Sequence, residues 1–234
     1  ALRLIVKETV KPVIKLVQPS NGAYISNNML PIIFDVTDEA GGSGVKLSTV
    51  ALKLSGATYK DGSVGMGKTA ITNGYRFTYT PQSALEDGAK TIEITATDND
   101  GNAATTAKAT FTVDTIPPTL TISEPASGLI TNQSNLIVKG VTNDTTSSPV
   151  TVTVVHGSKT YSPTVGDTGA FTQAVVLTEG TNTIKVTAMD AAGKATEITF
   201  TVSLDTTVPT VKSVVMSPNP ANVSGSVVIT LEVE

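Results

Sequence analysis

The segment Thr91–Asp98 reads TIEITATD, and Thr183–Asp190 reads TIKVTAMD. The two aspartates lie 92 residues apart (190 − 98). The stretches C-terminal to them are also alike: NDGNAATTAKATFTVDTIPPTLTI after the first, AAGKATEITFTVSLDTTVPTVKSV after the second. The linker prolines Pro118 and Pro209 are 91 residues apart (209 − 118), and a weaker linker, KETVKPVIKLV, sets Pro12 in the matching place. A repeat of this period restricts the chain to similar units arranged in series, each folding from its own stretch of roughly 90 to 105 residues.

The repeat defines two complete units, residues 10–114 and 115–205. Residues 1–9 read as the last strand of a preceding unit, because they resemble ATFTVD. Residues 206–234 read as the first strands of a following, truncated unit: VKSVVMSP, then SGSVVITLEVE. The expectation is a fragment from the middle of an array. The first unit is the longer by 15 residues, 106 against 91 between linker prolines. Its Gly-rich stretch near Gly62–Thr69 is the natural place for the excess.

Within each unit the hydrophobic period is two, as in a half-buried strand, and not the 3.6 of a helix. Ile92, Ile94 and Ala96 face one way, with Glu93 and Thr95 the other; Ile184, Val186 and Ala188 repeat this against Lys185 and Thr187. Ala107, Ala109, Phe111 and Val113 form a third such face, and Leu30, Ile32, Phe34 and Val36 a fourth. About seven short strands per unit predict an all-β chain of tandem Ig-like Greek-key β-sandwiches, with no helix beyond about two turns. Pro12, Pro118 and Pro209 should each open a unit's first strand.

Composition narrows the function. The 234 residues carry a net charge of −4, no cysteine, no tryptophan and 4% aromatics. No basic stripe is present to displace counterions from phosphates, so no nucleic-acid partner is expected. No apolar run approaches the roughly 18 residues needed for a membrane span. Without Trp, and with most Tyr placed in strands, stacking platforms for sugar rings are scarce.

The stretch PPTLTISEPASGLITNQSNLIVKGVT, continued by GAFTQAVVLTEGTNTIKVTAMDAAGKATEITFTVSLDT, resembles the bacterial Ig-like modules related to the glucodextranase B domain. The first unit, with FDVTDEAGGSGVKLSTVALKLSG and DNDGN, resembles other bacterial Ig-like surface modules. The resemblance implies a sandwich fold and an extracellular or cell-surface location. It leaves the role open among spacers, adhesin stalks and enzyme appendages.

Three motifs invite chemistry. Gly62–Thr69 satisfies GxxxxGK[ST], but a phosphate loop needs a helix after it. The residues beyond it carry Tyr75/Phe77/Tyr79 alternation and Asn73-Gly74, so a hairpin is expected. His156 is the single histidine; with no GxSxG, HExxH or thiol to partner it, an exposed position beside a turn is expected. Asn132, Asn143 and Asn222 begin N-x-[ST] sequons, which matter only in a glycosylating source. No catalytic residue emerges.

The acidic turns are the remaining candidates. In a seven-strand sandwich the B–C and F–G loops lie at the end where the preceding linker arrives. This gathers Glu8, Asp38, Glu39, Asp98, Asn99 and Asp100 in the first unit, and Asp114, Asn143, Asp144 and Asp190 in the second. Calcium takes six to eight hard oxygens, so such junctions suit it; Asp, Asn and Gly are also what tight turns require. The resemblance supports calcium, because some bacterial Ig-like adhesin arrays hold it at their junctions. By a count of acids the first junction is the richer, since Ala192 stands where the first unit has Asp100. The expected function is a non-catalytic spacer or stalk, partnered by neighbouring Ig-like domains of the same chain. The alternatives are an adhesive or carbohydrate-associated module binding a surface ligand, and a subunit of a strand-exchanged extracellular filament. In the last, Leu2, Leu4 and Val6 would pack on Val227, Ile229 and Leu231 of another copy.

Overall fold

The computed structural model describes residues 7–217 and 228–233. Among these, Leu47–Thr49 forms a single 3-10 turn and every other regular element is a strand. No helix is long and apolar enough to cross a membrane.

The first sandwich contains β1 (Val13–Gln18), β2 (Ala23–Ile25), β3 (Ile32–Thr37), β4 (Ala51–Leu54), β5 (Ala57–Lys60), β6 (Met66–Ile71), β7 (Gly74–Tyr79), β8 (Gly88–Thr95) and β9 (Ala107–Val113). One sheet has the order β1-β3-β7-β6 and the other β2-β9-β8-β4-β5. The second sandwich contains β10 (Thr119–Glu124), β11 (Leu129–Thr131), β12 (Asn135–Asn143), β13 (Thr151–His156), β14 (Lys159–Tyr161), β15 (Ala170–Val176), β16 (Gly180–Met189) and β17 (Ala195–Leu204). Its sheets are β10-β12-β15 and β11-β17-β16-β13-β14. In each sandwich the chain pairs antiparallel in one sheet, crosses at a proline that has no N–H for a ladder, and joins the other sheet parallel to the last strand. Pro12 and Pro118 immediately precede β1 and β10.

Alternation builds both cores. Ile32, Phe34 and Val36 of β3 are fully buried, as are Ile184, Val186 and Ala188 of β16, while their odd-numbered or even-numbered neighbours face out. Phe34 stacks on Phe77 of β7 with ring centroids 5.2 Å apart. The second sandwich solves the same site differently. Its matching pair is Gly140 and Phe171, and a Cβ on Gly140 would stand 2.5 Å from the Phe171 ring. One large ring there fills the space shared by two in the first core.

The Gly-rich stretch is a turn and a strand. Met66–Thr69 lies in β6, the strand without a counterpart in the second sandwich, so a phosphate loop is absent here. Twenty residues separate Ala57 from Phe77, against twelve between the matching Lys159 and Phe171, which places about half of the first unit's excess at β6. The hairpin after β6 turns one residue earlier than the Asn-Gly pair suggests. Asn73 takes the left-handed conformation (φ 59°) and Gly74 is already paired with Ile71. Gly74 is required for another reason: a Cβ there would lie 2.1 Å from the Val36 carbonyl oxygen.

His156 is a correction. It is half-buried at the end of β13, and its Nε2 lies 2.9 Å from Oδ1 of buried Asn182. The β13–β16 pairing sets His156 opposite Ile184, which holds the ring beside Asn182 instead of releasing it to solvent.

After the second sandwich, β18 (Val211–Ser217) and β19 (Val228–Val233) pair as a lone antiparallel sheet. Residues 1–6 and 227 lie outside the described residues, and with them most of the strand-exchange contact.

Candidate metal centre

In both sandwiches the preceding linker, the loop after β3 or β12, and the loop after β8 or β16 meet at one end, as the strand order requires. Register makes the positions comparable. Val13 pairs with Thr37 and Thr119 with Asn143, so Asp38 corresponds to Asp144, and Glu8 to Asp114. Asp98 corresponds to Asp190: each N–H donates to a carbonyl four residues on, Asn102 or Lys194.

At the first end, carboxylate oxygens of Glu8, Asp38 and Glu39 lie within 4.8 Å of one another. Glu8 Oε1 accepts the Ser43 N–H at 2.6 Å, and Asp38 Oδ2 accepts the Gly44 N–H at 2.7 Å. Glu8 Oε2, Asp38 Oδ1 and Glu39 Oε2 are buried without a hydrogen-bond partner. Contact with Glu8 pushes the Glu39 carboxyl up to about 7, while the same contact and the Ser43 donors hold Glu8 below the usual range. Two adjacent carboxylates cannot both ionise freely, so they compete for one proton. A Cβ on Gly42 would stand 2.8 Å from Glu8 Oε2 and from the Glu39 carboxyl carbon.

The other acids of this end act within the loops. Asp98 is fully buried, and although burial opposes its charge, the Asn102 amide and the backbone N–H groups of Gly101 and Asn102 hold its pKa below the ordinary value. Asp100 Oδ2 accepts the Glu8 N–H at 2.9 Å, and Asn99 donates to the Ser43 and Gly44 carbonyls at 2.8 and 3.0 Å. Asp98 thus braces its own loop, Asn99 ties the two loops together and Asp100 ties the linker to them; the grouped carboxylates are those of Glu8, Asp38 and Glu39.

At the second end, oxygens of Asp114, Asp144 and Asp190 lie within 4.8 Å of one another. Asp114 is fully buried and Asp190 is 6% exposed. Asp144 Oδ1 accepts the Thr146 and Ser147 N–H groups at 2.7 and 2.8 Å, and Asp190 Oδ1 accepts the Lys194 N–H at 2.8 Å. Asp190 Oδ2 is buried without a partner. Asn143, beside this group, is exposed and ends β12.

Asp114 also joins the sandwiches. Its N–H donates to the Ile25 carbonyl of the first at 2.9 Å, and Oδ2 accepts the hydroxyl of buried Ser147 of the second. Next to it, Thr115 donates through N–H and hydroxyl to Asp87, at 3.0 and 3.1 Å, and the Thr196 hydroxyl donates to the Pro118 carbonyl at 2.5 Å. Sequence reading missed Ser43, Asp87, Asn102 and Ser147, which are ordinary loop residues until the loops are placed together.

Residues 11–115 match the family model of a bacterial Ig-like domain, and residues 118–206 that of glucodextranase domain B. The chain is a tandem of bacterial Ig-like domains. Bacillopeptidase F of Bacillus subtilis (strain 168) is 35% identical over 112 residues, which is 48% of this chain and 7% of that protein. The chain therefore spans a small part of that relative. Among solved structures, the fibronectin(III)-like modules of Clostridium thermocellum CbhA are similar over 82% of this chain and 94% of theirs, at 16% identity and a TM-score of 0.49. The chicken CNTN1 FN1-FN3 domains cover 79% of this chain and 66% of their own, at 8% identity and a TM-score of 0.36.

Proposed function

We propose that this Ig-like tandem is a non-catalytic structural spacer of an extracellular or cell-surface bacterial protein. The observation that carries the reading is the junction. Between β9 and β10 the chain has only residues 114–118, of which two are prolines with fixed φ. Asp114, Thr115 and Pro118 are each hydrogen-bonded to a domain body. A linker held along its length leaves little freedom between the domains, which is the property a spacer needs.

Binding roles have less support. Tyr24 is the one exposed aromatic side chain among the described residues, so no stacking platform is formed. The strand-exchanged filament is favoured by one feature, the apolar side chains exposed on both strands of the β18–β19 hairpin.

The chain has no cysteine, so paired spin labels can be placed cleanly. With labels at Thr58→Cys and Lys159→Cys, a single narrow distance distribution between the domains is expected. A broad distribution, as from a flexible tether, would refute the rigid spacer.

A further inference from the structure

We propose that β15 is an open sheet edge through which two copies of this chain pair, strand to strand, about a two-fold axis at Ala174. Of the edge strands in the two sandwiches, β1 and β10 are interrupted by a register shift, and β5, β6 and β14 each carry a lysine. The edge strands β2 and β11 are only three residues long. Each of these features discourages another strand from adding. β15 has seven residues, AFTQAVV, with no charge, no proline and an unbroken register against β12.

The first domain shows what such an edge accepts. There Arg76 and Thr78 of β7 pair with Thr69 and Gly67 of β6, and the Thr80 N–H donates to the Gly65 carbonyl at 2.9 Å. Matching Phe77 to Phe171 sets Thr78 at Thr172 and Thr80 at Ala174, where the second domain has no strand in the place of β6. Register fixes which groups are left over. The Thr142 N–H donates to the Gly169 carbonyl and the Leu177 N–H to that of Ser134, so the odd-numbered residues of β15 exchange bonds with β12. The even-numbered ones turn their N–H and C=O to the open side. The Gly166 N–H takes up the Ala170 carbonyl at 2.9 Å, and the Gln173 amide takes up that of Ala174 at 2.7 Å. The backbone groups of Thr172 and Val176 and the Ala174 N–H have no partner on that side among the described residues.

The leftover groups choose the axis and the occupant. A two-fold at Ala174 sets this residue opposite its own copy and Thr172 opposite Val176 of the partner, each pair exchanging two main-chain bonds. Axes at Thr172 or Gln173 would call on the Ala170 carbonyl, which Gly166 holds. The Gln173 amide has only to turn aside. On the outer face Ile137 of β12 lies beside Ala174 and is 42% exposed. An apolar row then runs from Ile137 through both copies of Ala174 to Ile137 of the partner. Lys139, the one charge on β12, lies in the row of Thr172, which meets Val176 and Asn135 of the partner. No like charges come together, so the edge is complementary to itself.

These bonds replace bonds to water and little apolar area is covered, so association is weak, with Kd on the order of 1 mM. The test is sedimentation equilibrium of the full chain. At low concentration it should run as a monomer, and near the Kd its average mass should rise well above the monomer's. Ala174→Lys sets like charges opposite each other and should abolish the rise, as should Ala174→Glu alone. Mixed in equal amounts, the two variants should associate at least as tightly as wild type. Ala174 is exposed, so each variant should melt with wild type. A wild type that stays monomeric at about 1 mM, association undiminished in Ala174→Lys, or a mixture that stays monomeric would each overturn the proposal. Association that survives Ala174→Lys and is lost on deleting residues 206–234 would assign the contact to the β18–β19 hairpin instead. None of these results bears on the interdomain distance that tests the spacer reading.

Discussion

Asp98 and Asp190 stand at the same place in successive domains, yet the second carboxylate oxygen of Asp98 accepts the Asn102 amide at 2.6 Å and that of Asp190 accepts nothing. The difference rests on one side chain, Asn102 against Lys194. Lys194→Asn should therefore place an amide on Asp190 Oδ2. This should stabilise the second domain by about 1 kcal/mol, the usual gain from satisfying a buried acceptor. Urea unfolding of the two proteins checks the gain.

Asp35 on β3 and Arg76 on β7 are direct cross-strand partners, joined by two hydrogen bonds at 2.7 and 2.8 Å. The guanidinium bond holds the Asp35 carboxyl below its usual range, against the opposing effect of burial. A lowered folded value means the stabilisation is complete above the unfolded pKa, near 3.9, and disappears as pH falls through the folded value. Arg76 is nearly half exposed, so solvent screening limits the pair to about 1 kcal/mol. Asp35→Asn should cost up to about that amount at pH 7 and progressively less below about pH 4. Stability measured against pH for both proteins checks the sign.

The two cores share no buried residue. Phe77→Ala removes one of two stacked, fully buried rings and should cost the first domain about 3 to 5 kcal/mol. The second domain should melt as before. A calorimetric trace in which both transitions move together would show that the junction couples the folding of the two domains.

The strands were legible because burial in a sandwich leaves a period of two, and Ile92/Ile94 and Ile184/Val186 carry it without interruption. The convergence of Glu8, Asp38 and Glu39, and of Asp114, Asp144 and Asp190, was legible too, because strand order alone brings linker and loops to one end. What a count of acids does not contain is where each oxygen's hydrogen bonds go. Asp100 makes the first junction look richer, yet its carboxylate accepts the Glu8 N–H and stays out of the cluster. Asn102 and Lys194 differ by a donor that acts only once the turn has folded back on its aspartate. His156 looked exposed because sequence shows the adjoining Gly157 turn and not Asn182 on the neighbouring strand. β6 was legible only as an arm of the expected hairpin, because Met66–Ile71 reads MGKTAI, without apolar alternation.

Gly169 and Gly128 share φ 79° but differ in their surroundings. A Cβ on Gly169 would lie 1.8 Å from the Thr142 carbonyl oxygen, whereas a Cβ on Gly128 would have nothing within 4 Å. Gly128→Ala should therefore cost only the left-handed backbone strain, about 1 kcal/mol. Gly169→Ala should cost several times as much, because the carbonyl it would strike belongs to the residue whose N–H is bonded to Gly169 itself. Melting temperatures of the second domain in the two variants separate strain from collision.

The β18–β19 hairpin carries Val211, Val214 and Val215 on one strand and Val228, Ile229, Leu231 and Val233 on the other, each 55–61% exposed. A lone two-stranded sheet is marginal in water, and its edges offer unpaired N–H and C=O groups to other chains. The spacer reading gives this hairpin no part in the stability of the two domains before it. Deleting residues 206–234 should then leave both domain melting temperatures unchanged, and limited proteolysis of the intact chain should converge on a product ending near Asp205. Sedimentation at low concentration should show a monomer before and after the deletion. The filament reading expects the opposite: ordered assemblies from the intact chain, abolished by deleting residues 1–8 while both domains stay folded. Assemblies that vanish on that deletion would replace the spacer with a strand-exchanged subunit.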